Sequence, residues 1–375
     1  MQRLSCRAPA SWQCFLRVAP TDFSSVYARI RGTSDHVYLF GAVFAVAALS
    51  TKSKTARMED KPKHHDANGY LSVDVAGCPY PPFMKKATLE LLQKDFALRD
   101  GDIVIATYPK CGTTWMQNIL LALQFDGDKS KVRRPMVQSP WIENIICTGR
   151  RTLQQLMDWD GDTEWSPAPE RRVFKTHATV ELAPWKGGIN GLGKSKVVVV
   201  TRNPKDACVS LYHHARDLPA VYDYRGDFQH FTSEIFLKGN AESGCFWAWH
   251  AGWQRAAEEH PSDIIWISYE ELKRDPLNTT RRLADFLGMR VSDDVVLKSV
   301  NASSFQQMKQ VFAEEDKKVE ARGQFVKKNH IRQGEMGSWV QDIDGALLAE
   351  FDAISTLKCD MFRLTYKFDF GDHGC

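Results

Sequence analysis

Lys110, Gly112, Thr113 and Thr114 crowd into one stretch, Thr107-Tyr108-Pro109-Lys110-Cys111-Gly112-Thr113-Thr114-Trp115. Those residue types at that spacing can hold an anion. Gly112 admits a close backbone approach or a positive φ. The lysine supplies a fixed charge and the threonines supply hydroxyl donors. A helix starting at Thr113 would add its first free amides and its dipole to the same anion. Trp115 offers a flat face for a base or an acceptor ring. A Walker A loop is excluded, because there the lysine follows its glycine and here it precedes it. The competing reading is an ordinary strand-to-helix turn with an exposed lysine.

Two further groups can complete a reaction. His177, in Phe174-Lys175-Thr176-His177, belongs to a residue type that titrates near neutrality and can take a proton from an attacking hydroxyl. A single histidine after a strand is more often structural, so it gains weight only from its neighbours. Arg202, heading Arg202-Asn203-Pro204-Lys205-Asp206, ends an apolar run and can grip a phosphate through two parallel hydrogen bonds. Ser210 lies one or two turns into the following helical stretch and can face the same loop. In isolation that segment reads as a solvated charged turn.

Positioning these groups falls to short β-branched runs, each leading into a longer helical stretch. Asp102–Thr107, Val173–Thr176, Lys196–Thr201 and Ile264–Ser268 read as strands. Thr113–Leu123, Asp206–Arg216, Tyr269–Lys273 and Leu277–Leu287 read as helices. Lys196–Thr201 (KVVVVT) has the apolar character of a parallel strand buried on both faces. Strands alternating with helices imply an α/β fold, a single domain whose central parallel sheet is flanked by helices. Ligands in such sheets gather beyond the carboxyl ends of the strands, where each group above falls.

From about Gly69 to Trp339 the ordered motifs resemble the cytosolic sulfotransferase family, which uses 3′-phosphoadenosine 5′-phosphosulfate. The loop Tyr-Pro-Lys-Cys-Gly-Thr-Thr-Trp is similar to that family's 5′-phosphosulfate loop, with Cys111 where Ser or Ala is commoner. That position is expected to contribute its backbone. The resemblance implies a P-loop-like nucleotide-binding fold with His177 as general base. It implies that Lys110 and Lys175 stabilise the anionic centre and that Ser210 restrains Lys110 until the acceptor arrives. Lys110, Cys111, Gly112, Thr113, Thr114 and Trp115 would hold the 5′ side, and Arg202 and Ser210 the 3′-phosphate. Tyr269, in Ile-Ser-Tyr-Glu-Glu-Leu, would lie near the adenine, as would Ser304, Phe305 and Met308 in Ser-Phe-Gln-Gln-Met. Arg332, Gln333 and Gly334 open Arg-Gln-Gly-Glu-Met-Gly-Ser-Trp, which resembles the family's last nucleotide-binding signature. Here Gln333 replaces a lysine and Ser338 an aspartate. A lysine lost from a phosphate would cost about 1–3 kcal/mol, but Arg202 and Arg332 remain. Val340–Ala349 lacks the family's dimerisation residues, so the oligomeric state stays open. No metal is expected, since a sulfuryl group carries less charge than a phosphoryl group and lysine with amides can serve where kinases use magnesium.

Composition narrows the rest. The chain has 375 residues, 25% of them charged, and a net charge of +3, which gives no basic excess for bulk nucleic-acid binding. Its nine cysteines are scattered with no CxxC spacing, which disfavours a zinc site and suits a reducing, cytoplasmic setting. Residues 1–36 carry Arg3, Arg7, Arg17, Arg29 and Arg31 against Asp22 and Asp35, as organelle transit segments do. Val37–Leu49 is an apolar run; it falls short of the ~20 residues a spanning helix needs, so stable membrane insertion is not expected. Transit segment, signal-like segment, anchor and plain extension stay open. Residues 50–68 read as a polar linker, dividing an N-terminal extension (1–68) from the sulfotransferase domain (69–375).

The expected acceptor is a small molecule with a hydroxyl or amine. Trp141, Phe246, Trp247, Trp249 and Trp253 offer aromatic surface, which favours phenols, sterols or similar compounds. His213 and His214 point differently on a helix and make a poor metal pair, fitting the acceptor pocket or the surface instead. Three rivals remain. A P-loop-type kinase would need the absent Walker A loop. A catalytically impaired nucleotide-binding protein is weakened by the retained Lys110, Lys175, His177 and Ser210. A membrane-anchored carbohydrate sulfotransferase has only the Val37 run in its favour.

Overall fold

A computed structural model describes residues 62–132, 135–163, 166–320 and 332–368. The arginine-rich segment, the apolar run at Val37 and most of the polar stretch after it lie outside the described residues. The end of that polar stretch, expected as linker, forms a strand. β1 (Lys63–Asp66) pairs antiparallel with β2 (Gly69–Val75), which pairs with β3 (Cys78–Tyr80). β1 is the sequence KHHD, with no apolar residue to announce it, and it is held at the sheet edge by polar pairs such as Asp66 Oδ2 with His230 Nε2 at 2.8 Å.

After helix α1 (Lys86–Asp95) comes the alternation read from the sequence: β4 (Ile103–Thr107), α2 (Thr113–Gln124), β5 (Val173–Thr176), β6 (Lys196–Thr201) and α3 (Pro204–Asp217). The chain continues through α4 (Phe246–Glu259), β7 (Ile264–Ser268), α5 (Tyr269–Arg274), α6 (Pro276–Phe286), α7 (Asp293–Ala302), α8 (Phe305–Glu320) and α9 (Gly345–Phe362). β5, β4, β6 and β7 lie in that order in one parallel sheet.

The period-2 alternation of a strand explains why this sheet carries helices on both faces. Val104, Ala106, Val197 and Val199 join one buried cluster with the aromatics of α4, whereas Ile103, Ile105, Val198 and Val200 join a second with Ile119 and Leu120 of α2 and Leu283 of α6. A strand buried on both sides cannot alternate apolar with polar, hence the continuous runs IVIAT and KVVVVT. Register then aligns the carboxyl ends: Ala106 is opposite Thr176, Thr107 opposite Val200, and Thr201 opposite Ser268. The loops leaving β4, β5, β6 and β7 start side by side along one edge.

Candidate active site

The turn between β4 and α2 is bent by two left-handed residues, Lys110 (φ 73°) and Gly112 (φ 105°, the N-cap of α2). A non-glycine residue rarely takes that conformation, so Lys110 is held there by its surroundings. Gly112 is required twice over, because a Cβ would lie 2.9 Å from Cδ2 of Tyr269. Gly112→Ala is therefore expected to cost about 1–3 kcal/mol of stability. Thermal unfolding would register this as a lowered Tm, and an unchanged Tm would contradict the described packing of loop on ring. Cys111 is fully buried, with its amide donating to the Tyr108 carbonyl at 3.2 Å.

Thr107 joins this loop to the histidine. The His177 Nδ1 lies 2.8 Å from the Thr107 carbonyl oxygen, which can only accept, so Nδ1 carries the proton and Nε2 keeps its lone pair. Thr107 Oγ1 lies 3.1 Å from the same Nδ1 and 2.7 Å from Thr113 Oγ1. The indole of Trp249 donates to the His177 carbonyl at 3.1 Å and to the Ala178 carbonyl at 2.9 Å, fixing the backbone. Burial, then the charges of Lys175 and Lys110, hold His177 down to about 3, so its imidazole is neutral wherever the protein is folded near neutral pH.

Lys175 sits 5.2 Å from the centroid of Trp141. Burial brings its ammonium down to about 8, although Glu242 and then Glu143 pull the other way. Glu143 is itself buried, with its carboxyl raised chiefly by that burial, and it accepts from Thr176 Oγ1 at 2.7 Å. Thr176 Oγ1 accepts in turn from the Ala178 amide at 3.0 Å. The strand end that presents Lys175 and His177 is thus pinned on both sides.

At the other end Arg202 is nearly buried and lies 4.4 Å over the Tyr269 ring, which packs on Trp115 at 5.2 Å. Its Nη1 donates to the Lys110 carbonyl at 3.3 Å and Nη2 to the Glu335 carbonyl at 2.9 Å, whereas its buried Nε has no protein partner. An orphaned guanidinium donor beside two glycine-lined turns is what an anion would satisfy. Asp206 ties in the last signature by accepting from the amides of Gly337 at 2.8 Å and Trp339 at 3.1 Å and from Ser338 Oγ at 3.3 Å. Gly334 (φ 68°) lies so close to Phe305 that a Cβ would meet the ring at 2.4 Å. Lys205, by contrast, is buried against Trp339 and pairs with Asp352 at 2.7 Å, holding α9 in place.

One cavity unites these parts. Its wall includes Lys110 and Gly112 from the loop, Thr113, Thr114 and Trp115 from the start of α2, Lys175 of β5 with His177 just after it, Arg202 just after β6, and Ser210 of α3. Tyr269, Phe305, Met308, Arg332, Gln333 and Gly334 close it. Of the residues singled out in the sequence, Cys111 turns into the core and Ser304 is exposed just before α8, and neither lines the cavity. The aromatic acceptor surface needs correcting: Phe246, Trp247, Trp249 and Trp253 are at most 1% exposed and belong to the core. They pack within the core, Trp247 against Phe236 and Phe351 and Trp249 against Tyr108 and Trp253, so their bulk stabilises rather than recognises. Trp141, Tyr222, Glu242, His213, His214 and Asp217 also line the cavity. The sequence left His213 and His214 between the acceptor pocket and the surface, and both line the cavity; Glu242, Tyr222, Asp217 and Lys273 stand in no motif, and only the folded chain brings them in. Among the described residues no group of three or more His, Cys, Asp or Glu gathers to hold a metal ion.

Comparison with known proteins agrees with this geometry. The Sulfotransferase domain family matches residues 100–363. Mouse Sulfotransferase 1B1 is 29% identical over 279 residues, covering 74% of this chain and 88% of that protein. Mouse Sulfotransferase 2B1 is 30% identical over 287 residues, covering 74% and 77%. Among solved structures, a mouse sulfotransferase, SULT7A1, complexed with PAP superposes with a TM-score of 0.58 at 25% identity, covering 78% of this chain and 97% of that one.

Proposed function

The chain belongs to the sulfotransferase family, and from that premise we propose that it moves the sulfuryl group of 3′-phosphoadenosine 5′-phosphosulfate in line to a hydroxyl or amine of a small acceptor, with His177 as general base. The observation that carries this reading is the single cavity that takes in Lys110, Lys175, His177 and Arg202 together. The co-substrate supplies the activated sulfuryl group. His177 Nε2 takes the acceptor proton while the Thr107 carbonyl holds Nδ1–H and keeps the tautomer. Lys110, Thr113 and the first amides of α2 face the charge that builds on the departing 5′-phosphate. Arg202, with Arg332 and the Gly334 amide, would hold the 3′-phosphate, and the orphaned Nε of Arg202 suits that role. Trp115, Tyr269, Phe305 and Met308 would enclose the adenine, and Ser210 would restrain Lys110. In this reading the transferase domain is residues 69–375 and its setting is the cytoplasm; the six cysteines among the described residues are all unpaired, which suits a reducing compartment.

The test is a donor-dependent assay on the purified chain with radiolabelled sulfate on the nucleotide and a panel of phenols, sterols and amines. Label is expected on a small acceptor without added metal. Magnesium-dependent transfer from ATP would replace the reading with a kinase, and nucleotide binding without transfer to any acceptor would reduce the chain to a binding protein.

A further inference from the structure

Helix α3 carries a stripe that the nucleotide scheme uses only in part. Asp206, Ser210, His213 and Asp217 recur at helical spacing and share one face of α3. That face runs along the signature Arg332–Trp339, because Asp206 at its start accepts from the amides of Gly337 and Trp339. Beyond that anchor, Ser210, His213 and Asp217 line the cavity together with Arg332, Gln333 and Gly334. The Ser210 hydroxyl, the His213 ring and the Arg332 guanidinium are half-buried there, and among the described residues none of the three has a hydrogen-bond partner. Three polar groups left so in one wall are what a ligand satisfies.

The charges around His213 say how it would answer an anion. Burial, then the charge of Arg332, keeps its imidazole below the usual range, against the pull of Asp342 and Asp217. The same two carboxylates act on Arg332, so the arginine and the histidine share one neighbourhood. Without nucleotide the ring is therefore neutral near neutral pH. A phosphate dianion set among Ser210, His213 and Arg332 reverses that balance, because it offsets the arginine and favours the imidazolium. Gln333, beside Arg332, supplies no charge to this place, and its side-chain carbonyl is buried without a partner. Resting on the transferase reading above, we propose that His213 is a further ligand of the donor's 3′-phosphate, which takes a proton from solvent as the nucleotide binds and so supplies the positive charge that Gln333 leaves out. Donor affinity is then coupled to pH through a residue that plays no part in the transfer step.

The test is calorimetry with adenosine 3′,5′-bisphosphate and with adenosine 5′-phosphate, each in two buffers of different ionisation heat. The pH is about 7.5, where free phosphate monoesters are already mostly dianions. The native chain is expected to draw a larger fraction of a proton from the buffer with the bisphosphate than with the monophosphate. The bisphosphate's affinity advantage is expected to grow as pH falls from about 8.5 to about 7, by less than the roughly tenfold per unit that one whole proton would give. His213→Gln, which keeps a hydrogen-bond donor but cannot charge, is expected to weaken the bisphosphate about tenfold and the monophosphate less than about threefold, and to remove the difference in proton uptake. Gln333→Lys in that background is expected to restore bisphosphate affinity without restoring the proton uptake. Equal proton uptake with the two nucleotides in the native chain overturns the proposal before any variant is made. So does a His213→Gln chain that weakens both nucleotides alike, which would leave the ring as a packing partner of Tyr212, 5.3 Å away. A Gln333→Lys exchange that restores nothing overturns it as well. If the preference and the proton uptake follow His213 but labelled sulfate never reaches an acceptor, this inference stands and the transferase reading fails; transfer by a chain whose bisphosphate binding ignores His213 is the reverse case.

Discussion

His177→Ala is expected to lower transfer by about 10²–10⁴-fold while nucleotide binding stays near that of the native chain. The imidazole's only ring hydrogen bonds among the described residues run to Thr107, so its removal leaves the loop's own bends, Lys110 and Arg202, in place. A pH profile makes the test sharper. A general base must be unprotonated, and burial with two neighbouring lysines keeps His177 near 3. Its protonation therefore sets no acid limb between pH 5 and 7. Lys175 works from the charged form and sits near 8 in the free protein, so kcat/KM for the donor is expected to bend downward above about 8. Stability moves in the opposite sense on the acid side. His177 and His250 both refuse protons in the fold, with folded values near 3 against an ordinary 6.5, so the unfolded chain takes up protons that the native state does not. Stability is full above pH 6.5 and declines as pH falls from there toward 3. A His177→Ala chain that turns over at near-native rate would remove the base from the scheme, and a sharp acid limb near pH 6.5 in the native chain would show that the ring titrates as if exposed.

The parts legible in the sequence share one property: their physics is local. KVVVVT declares a doubly buried strand because no polar residue interrupts it, and a lysine, a glycine and two threonines at a strand-to-helix junction declare an anion loop because amides and charge come from consecutive residues. Helix limits moved by only a few residues, as where Asn203 caps α3 through the Lys205 amide and lets the helix begin at Pro204 rather than Asp206. What stayed hidden depends on contacts across the chain. β1 carries no apolar pattern, and its partners Asp223 and His230 lie more than 150 residues away. The aromatics of α4 looked like a binding surface by composition, yet a helix with Phe246, Trp247, Trp249 and Trp253 within two turns presents them to the core on nearly every side. Lys205 and Arg202 stand three residues apart in one charged run, and only folding separates a lysine locked onto Asp352 from an arginine facing the cavity.

Lys110→Ala is expected to lower kcat by about 10²–10³-fold, the usual loss when one preorganised donor is withdrawn from developing charge. The argument turns on where the lysine is held. Its left-handed backbone (φ 73°) is set between the buried Cys111 and the Arg202 guanidinium, which bonds to its carbonyl at 3.3 Å, so the side chain is delivered into the cavity by a backbone that the substitution leaves anchored. Alanine is no worse than lysine in that conformation, so folding stability should change little, and the loss should appear in turnover. Donor binding should fall less, because Arg202 and Arg332 sit in the same wall and hold the other phosphate in the proposed scheme. The discriminating measurement is the split between kcat and the donor Kd. A large drop in kcat with a modest rise in Kd places Lys110 on the leaving group. A rise in Kd that accounts for the whole loss in kcat/KM makes it a ground-state clamp and moves the burden of charge stabilisation to Lys175 and the amides of α2. Arginine at the same position keeps the charge but replaces a compact ammonium with a planar fork, so Lys110→Arg should restore donor affinity without restoring kcat if position, rather than charge alone, governs the step.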